Sequence, residues 1–342
     1  MPNLRAALLT TLLLIGAAAC GGPRLERFEE SRELMGTGFR IVLYAPDAAT
    51  AEAALVDAWR RIEELEDALS DYDQESELSR LSARSRPRAP AEALEVSDDL
   101  WQVLVAAAEV SRETDGAFDV TVGPFVRLWR RAVRQGELPS RERLAEAAEA
   151  VGHENLVLDA TLRRVHLRAA GMRLDLGGIA KGFALDEALE VLVEHGLGAA
   201  LVDGGGDLVV GDAPPGRSAW HIELDDGEGR SPLPLELVHC AVATSGDAYR
   251  FLELDGMRYS HIIDPRTGLG LTTRTAVSII APSAMVADAA ASAACVMGPV
   301  AGLAWVEQRA DLEARFVTAQ KAGADACQSS GLAQRMATRT LP

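Results

Sequence analysis

Three short stretches of this chain hold residue types at spacings that suit chemistry. In Asp175 to Gly182, read DLGGIAKG, Gly177 and Gly178 let the backbone approach a ligand closely, and Lys181 adds a mobile positive charge. Apolar residues continue beyond it at helical spacing, so the stretch reads as a strand-to-helix turn whose free amides favour an anion. Such a turn asks for a phosphate. Asp175 does not suit a bare phosphate grip and needs its own task, such as a hydrogen bond to a sugar or base, or help with a metal. Together they point to a nucleotide. The stretch lacks the GKS or GKT of a Walker A motif and does not spell GxGxxG, and a plain tight connection would also explain its glycines.

The second stretch is YSHIIDPRTG, Tyr259 to Gly268, where His261 and Asp264 flank two isoleucines before a Pro265–Gly268 turn. Of the six histidines it alone has polar neighbours, a strand end and a turn beside it, which makes it the candidate general base; a structural histidine is the plainer alternative. The third is the small-residue helix AMVADAAASAACVM, Ala284 to Met297. Asp288 is its only acid and Ser292 lies four residues later, so two hard oxygen donors project from one face and could hold Mg2+. An exposed Asp with a filler Ser would look similar, but an apolar helix is a buried helix, and a buried acid needs a partner.

These stretches need a scaffold. Met35 to Ala45 alternates as a strand with Phe39, Ile41 and Leu43 on one side, and Ala48 to Leu69 is a strongly amphipathic helix. The segment SDYDQESELSRLSA is polar, and an Arg/Pro/Ala-rich linker runs from Arg84 to Pro90. Ser97 caps a second helix that ends near Thr114. In GAFDVTVGPFVRLW, Gly116 to Trp129, Asp119 and Thr121 share one face of a presumed strand, solvated or functional, which Gly123 and Pro124 break. Ser140 to Val151 reads as a helix and Val157 to Leu167 as a hairpin. A strand through Met172, Leu174 and Leu176 leads to the turn, and Phe183 to His195 is the helix beyond it. Ala199 to Gly211 gives strand, three glycines, strand, with Asp203 and Asp207 beside a backbone packed on something or simply bulged. The segment CAVATSGD ends a strand with Thr244, Ser245 and Asp247 at its edge. A last strand, Ala314 to Val317, precedes a polar tail.

A net charge of -17 with no basic block argues against nucleic acid. At the N-terminus Arg5 precedes an apolar run, Ala6 to Ala19, too short to span a bilayer but suited to export. Small residues before Cys20 resemble a lipoprotein cleavage site, with the thiol taking the lipid; an ordinary signal peptide with an incidental Cys is the alternative. Residues 1–19 are thus expected to be a lipoprotein signal peptide and 20–32 a charged, lipidated tether, placing the protein outside the cytoplasm, anchored on the periplasmic side. Cys240, Cys295 and Cys327 form no CxxC and are expected to be small buried residues.

The ordered motifs MGTGFRI, SDYDQESELSRL, GAFDVTVGPFVRLW, LDLGGIAKGFALD, LVDGGGD, ATSGD, HIIDPRTG and ADAAASAA resemble the ApbE family of FAD:protein FMN transferases. The resemblance runs from about Met35 to the C-terminus. It implies a mixed α+β, two-lobed domain over residues 33–342 with FAD in the cleft between the lobes. It implies Mg2+ held by the Gly178 carbonyl, Asp288 and Ser292, where relatives usually carry Thr at the last position and often Ala at the first. It also implies FAD contacts at Met35, Tyr72, Ala117, Phe118, Asp119, Asp175, Lys181 and Ile262. The implied reaction moves FMN from FAD to a Thr or Ser hydroxyl of an acceptor protein and releases AMP, with His261 as base and Asp264 supporting it. By family analogy the acceptors are flavin subunits of Na+-pumping NADH:quinone oxidoreductase or Rnf-type complexes, and the lipid on Cys20 reaches the membrane. Two alternatives remain: an Mg2+-dependent FAD pyrophosphatase, in which water replaces the hydroxyl, and a non-catalytic flavin-binding lipoprotein.

Overall fold

The computed structural model describes residues 24–86, 92–224, 232–246, 251–320 and 323–339. The expected signal peptide, Cys20, Asp247 and most of the Arg/Pro/Ala-rich linker lie outside the described residues.

One eight-stranded antiparallel sheet organises the chain: β1 (Glu26–Leu34), β2 (Thr37–Ala45), β3 (Ala200–Gly204), β4 (Asp207–Val210), β5 (Cys240–Ser245), β6 (Thr275–Ala281), β7 (Glu313–Gln320) and β8 (Gly323–Gln328). Each pairs with the next in that order, so everything else is inserted between neighbouring strands. The insertion after β2 is the longest and holds α1 (Ala48–Leu69), α2 (Glu77–Arg84), α3 (Asp98–Glu113), α4 (Gly123–Gln135), α5 (Arg141–Ala148) and α6 (Ala180–Glu194). Between β6 and β7 comes α7 (Ala284–Val306), and α8 (Ser330–Arg339) follows β8.

The period-2 alternation of the strands sorts side chains between two cores. Phe39, Ile41, Leu43, Val202, Ala243, Ile279 and Phe316 face α1, α6 and α7. Val42, Leu201, Val210, Val242 and Ile280 point the other way, under the hairpin Trp220–Leu224/Leu233–Leu237 and Leu332 of α8. The stripe predicted for α1 is the buried one, and the helix starts where Asp47 Oδ1 accepts the Thr50 amide at 2.8 Å. Ser97 and Ser140 cap α3 and α5 as their positions suggest. By length and composition α7 could cross a membrane, yet 56% of its apolar stretch is buried inside the protein and it bends at Gly298. Its alanines let it lie close on α6.

Several expectations are corrected. Residues 26–32 are not tether but most of edge strand β1, which pairs along its whole length with β2 and packs Phe28 and Leu34 on the core, with Arg32 over the Trp59 ring. The polar segment after α1 folds its second half into α2, since Ser76 caps it and Leu78 and Leu81 are buried. Asp119 and Thr121 lie in a tight turn rather than a strand, joined to the neighbouring segment by the isolated Val122–Arg173 bridge, and Pro124 starts α4 rather than merely ending a strand. Residues 172–176 are extended but form no strand, and α6 begins at Ala180, three residues early. The expected polar tail supplies β8 and α8.

Candidate active site

The DLGGIAKG stretch is placed from both sides. The Leu174 and Met172 amides donate to the hydroxyls of Ser82 and Ser85 on and just after α2, each at 3.0 Å. The Asp175 amide donates to the Val120 carbonyl at 2.8 Å, which fixes the 117–122 turn beside it. Asp175 Oδ1 then accepts the Gly177 amide at 2.9 Å, turning the chain into α6. This is the local geometry that an Asp before two glycines favours.

Helix α6 enters without a side-chain cap of its own. Its Gly182 amide is instead received by Asp288 Oδ2 of α7 at 3.1 Å. In return Asp186 of α6 accepts the Ala284 and Met285 amides at the start of α7, at 2.7 and 2.8 Å. Each helix thus terminates the other's open end. The crossing is close enough that a Cβ on Gly182 would lie 2.2 Å from the Ala284 carbonyl oxygen. Burial pushes the Asp288 carboxyl above its ordinary range, against the pull of Lys181 and the Gly182 amide. Burial likewise lifts Asp186, to about 6.

Around that crossing Gly178 lies against Ser292, one helical turn beyond Asp288. A Cβ on Gly178 would sit 3.0 Å from Ser292 Oγ and 3.3 Å from the Phe118 ring, and Ser292 Oγ lies 3.2 Å from Ser245 Oγ. Lys181 is not the unattached cation the sequence suggests. It pairs with buried Asp207, whose other oxygen receives the Thr244 amide at 2.8 Å. Two buried carboxylates, Asp207 and Asp288, thus lie near one ammonium, which pairs with the first. The donors gathered here are oxygens, which suits a hard cation such as Mg2+. Among the described residues no group of three His, Cys, Asp or Glu is gathered to hold a metal ion.

Tyr72, 77% exposed, lies on the far side of Asp175 with Arg130 between them. Burial and the neighbouring Asp71 carboxylate push Asp175 up to about 6. Asp119 is buried and raised by that burial, with Oδ1 receiving both the amide and the hydroxyl of Thr121 at 2.7 Å. It borders an open pocket of about 210 Å3 lined by Gly116, Phe125, His153, Pro265 and Arg266. Ala117 and Phe118 are buried just before it. Met35 occupies the β1–β2 turn with φ 49°, its amide donating to Glu66 at 3.0 Å. Nearby Thr37 packs on Gly205, where a Cβ would come within 2.5 Å of its hydroxyl, and Gly204 lies against Leu185 and Phe39, whereas Gly206 faces open space and serves the turn through its positive φ.

His261 is exposed at the end of the hairpin Phe251–Leu254/Met257–Ser260, and Ile262 beside it is half-buried with its amide on Ser260 Oγ at 3.0 Å. The Asp264 carboxylate is held by Arg266 through bonds of 2.8 and 2.9 Å. Sequence reasoning missed Arg130, Asp71 and Asp186. Asp186 had a signal, an acid on the apolar side of a helix; Arg130 had none, being one of several arginines in α4.

The ApbE family model matches residues 35–316. The chain is 33% identical to a FAD:protein FMN transferase of Treponema pallidum over 328 residues, 90% of each chain. It is 32% identical to one of Vibrio cholerae over 314 residues, covering 90% of this chain and 91% of that one. Its fold superposes on the solved flavin transferase ApbE of Vibrio cholerae with TM-score 0.82 at 29% identity, covering 91% of this chain and 99% of that one. The apo flavinyl transferase ApbE of Pseudomonas stutzeri gives 0.81 at 27% identity, covering 91% and 96%.

Proposed function

The chain belongs to the ApbE family, and we propose on that premise that it is a FAD:protein FMN transferase working at the α6–α7 crossing. The observation that carries the proposal is the convergence of Gly178, Lys181, Asp288 and Ser292 beside Asp175, residues more than a hundred positions apart in part, on two helices that cap each other.

A hydroxyl oxygen of a Thr or Ser on the acceptor attacks the FMN phosphorus of FAD. The phosphoanhydride bond to AMP breaks, AMP leaves with the bridging oxygen, and the hydroxyl proton passes to a base. His261, exposed at the mouth of a hairpin, is the base we assign; Asp264 and Arg266 stiffen the turn that follows it. Lys181 can turn from Asp207 towards the diphosphate and so meet charge that grows on it. Asp175 and Tyr72 receive the donor beside the Gly177–Gly178 turn, with Met35, Ala117, Phe118, Asp119 and Ile262 around it. A Mg2+ ion would be held by the Gly178 carbonyl, Asp288 and Ser292, and would supply neutralisation of the diphosphate. The oxygen donors gathered at the buried Asp207–Lys181–Asp288 group support such an ion. By the family's habit, the acceptors are flavin subunits of Na+-pumping NADH:quinone oxidoreductase or Rnf-type complexes, met on the periplasmic side by a lipoprotein anchored at Cys20.

The test is incubation with FAD, Mg2+ and a purified acceptor domain, followed by intact mass and in-gel flavin fluorescence. A covalent FMN adduct with stoichiometric AMP is the expected outcome. FMN and AMP released with an unmodified acceptor would make the protein an FAD pyrophosphatase instead. FAD bound and returned intact would make it a flavin carrier.

A further inference from the structure

Arg130 stands at the meeting of three separate segments. Its guanidinium is 2.6 Å from Asp71 in the α1–α2 connection and 3.5 Å from Asp175 before α6, and it lies over the Tyr72 ring at 3.8 Å from the centroid. Asp71, Asp175 and Arg130 are mostly buried, with side chains 18%, 12% and 26% exposed, whereas Tyr72 is 77% exposed. A flat cation therefore backs one face of an aromatic ring that is otherwise presented to solvent, beside the turn where the phosphate site begins.

An exposed tyrosine on a short connection has no packing reason to hold one orientation. Here the cation under its ring supplies one, while the two acids hold the cation flat and in place. The two carboxylates also raise one another's cost of charging, and the guanidinium between them offsets that cost. We propose that Arg130 is a positioning residue for the flavin donor: it fixes Tyr72 as a platform on which an aromatic ring of FAD stacks, and keeps Asp175 aligned beside that ring. The proposal rests on the transferase reading for the identity of the donor, and it adds a residue that binds nothing itself but sets the affinity of the wall it supports.

A lysine at this position keeps the charge for Asp71 but loses the planar face and the second arm of the fork. Arg130→Lys should raise the KM and the Kd for FAD roughly 3- to 30-fold, the range that loss of a stacked cation spans. The change should fall on KM more than on kcat, and the perturbation of the visible flavin band on binding should shrink. Tyr72→Leu should give a similar rise, and the Arg130→Lys/Tyr72→Leu pair clearly less than the product of the two single losses, because Arg130 acts in part through Tyr72.

FAD is titrated into the full chain with Mg2+, followed by flavin absorbance and fluorescence, with thermal melts of the FAD-free proteins alongside. If Arg130→Gln fails to fold, Arg130→Lys still reads the stacking. An FAD affinity within twofold of wild type in Arg130→Lys, or multiplicative losses in the double variant, would overturn the assignment. Wild-type protein that binds no FAD would overturn the transferase reading instead.

Discussion

The sharpest test of the site is one methyl group on Gly182. In a helix, Gly→Ala ordinarily stabilises by about 0.5–1 kcal/mol, because glycine has more freedom to lose on folding. Here the added Cβ would stand 2.2 Å from the Ala284 carbonyl oxygen, 2.6 Å from its carbon and 2.8 Å from Met285 Cα. All three are backbone atoms of α7 and cannot swing aside. Ordinary contact needs roughly 1 Å more, since nonbonded carbon contacts settle near ~3.5 Å. The helices must part by about that much, at an overpacking cost of about 1–3 kcal/mol that outweighs the propensity gain. Parting also strains the Gly182–Asp288 and Asp186–Ala284 hydrogen bonds, which span the same gap. Gly182→Ala should therefore lower Tm by a few degrees, taking about 2–4 °C per kcal/mol for a large domain. The same displacement separates Gly178 from Ser292, and a misplacement of about 1 Å can cost on the order of 100-fold in rate. Thermal melts paired with FMN transfer at saturating FAD read both effects. Gly331→Ala is the control, since its Cβ would meet only the flexible Glu313 side chain at 3.3 Å. A Gly182→Ala protein as stable as wild type or more so, with full turnover, would mean that the two helices do not cross at this distance and that the metal site is misdrawn.

Asp288→Asn should abolish Mg2+-dependent transfer without lowering the Tm of the metal-free protein, because burial already disfavours the charged carboxyl and an amide oxygen still accepts the Gly182 amide; a clear drop in Tm together with retained transfer would contradict this. Asp186→Ala leaves two amides of α7 without their acceptor and should cost about 1–2 kcal/mol in urea unfolding. An unchanged midpoint would show that water replaces the cap. For Asp175, burial and Asp71 raise the folded pKa from 3.8 to about 6. The native state then holds its proton to higher pH than the unfolded chain, so the group's contribution is fully present below about pH 4 and lost as pH rises through about 6. Asp175→Asn should consequently stabilise the FAD-free protein at pH 7.5, by up to about 3 kcal/mol from a shift of about two units, and leave it unchanged near pH 4. Urea titrations at the two pH values decide it, and a gain independent of pH would place the effect elsewhere.

What the sequence disclosed and what it concealed divide along physical lines. The stripe of α1, the caps at Ser97 and Ser140, and the alternation of Phe39, Ile41 and Leu43 are local, so periodicity alone finds them. The ligand-bearing turn was visible because glycines and a lysine are chemically conspicuous, but its helix was placed three residues late. Gly182 looked like part of the turn, and only the backbone of α7 lying against it explains why a helix should carry glycine in its first turn. Asp119 and Thr121 alternate with apolar residues as a strand would, yet the alternation comes from a turn in which the acid bonds the residue two ahead. Period alone does not separate these.

Charge pairing was the least legible layer, for a reason that bears on mechanism. Lys181 and Asp207 are 26 positions apart and meet only because β3 and β4 bring the glycine turn back beside α6. Read singly, the lysine is a phosphate grip and the aspartate an ornament of a loop. Paired, they neutralise one another, and Asp288 is left with the Gly182 amide at the entrance of a helix whose dipole favours an anion. A diphosphate approaching this face meets a lysine already engaged rather than a waiting cation. A divalent ion held beside Asp288 and Ser292 would supply positive charge for the diphosphate, and Lys181 could then leave Asp207 for the leaving group. Binding of FAD should therefore depend steeply on Mg2+, and an Asp207→Asn protein, whose lysine is released from the start, should bind FAD in the absence of Mg2+ more tightly than wild type does. Equal affinities in EDTA would show that Lys181 stays with its partner throughout and plays no part in holding the phosphates.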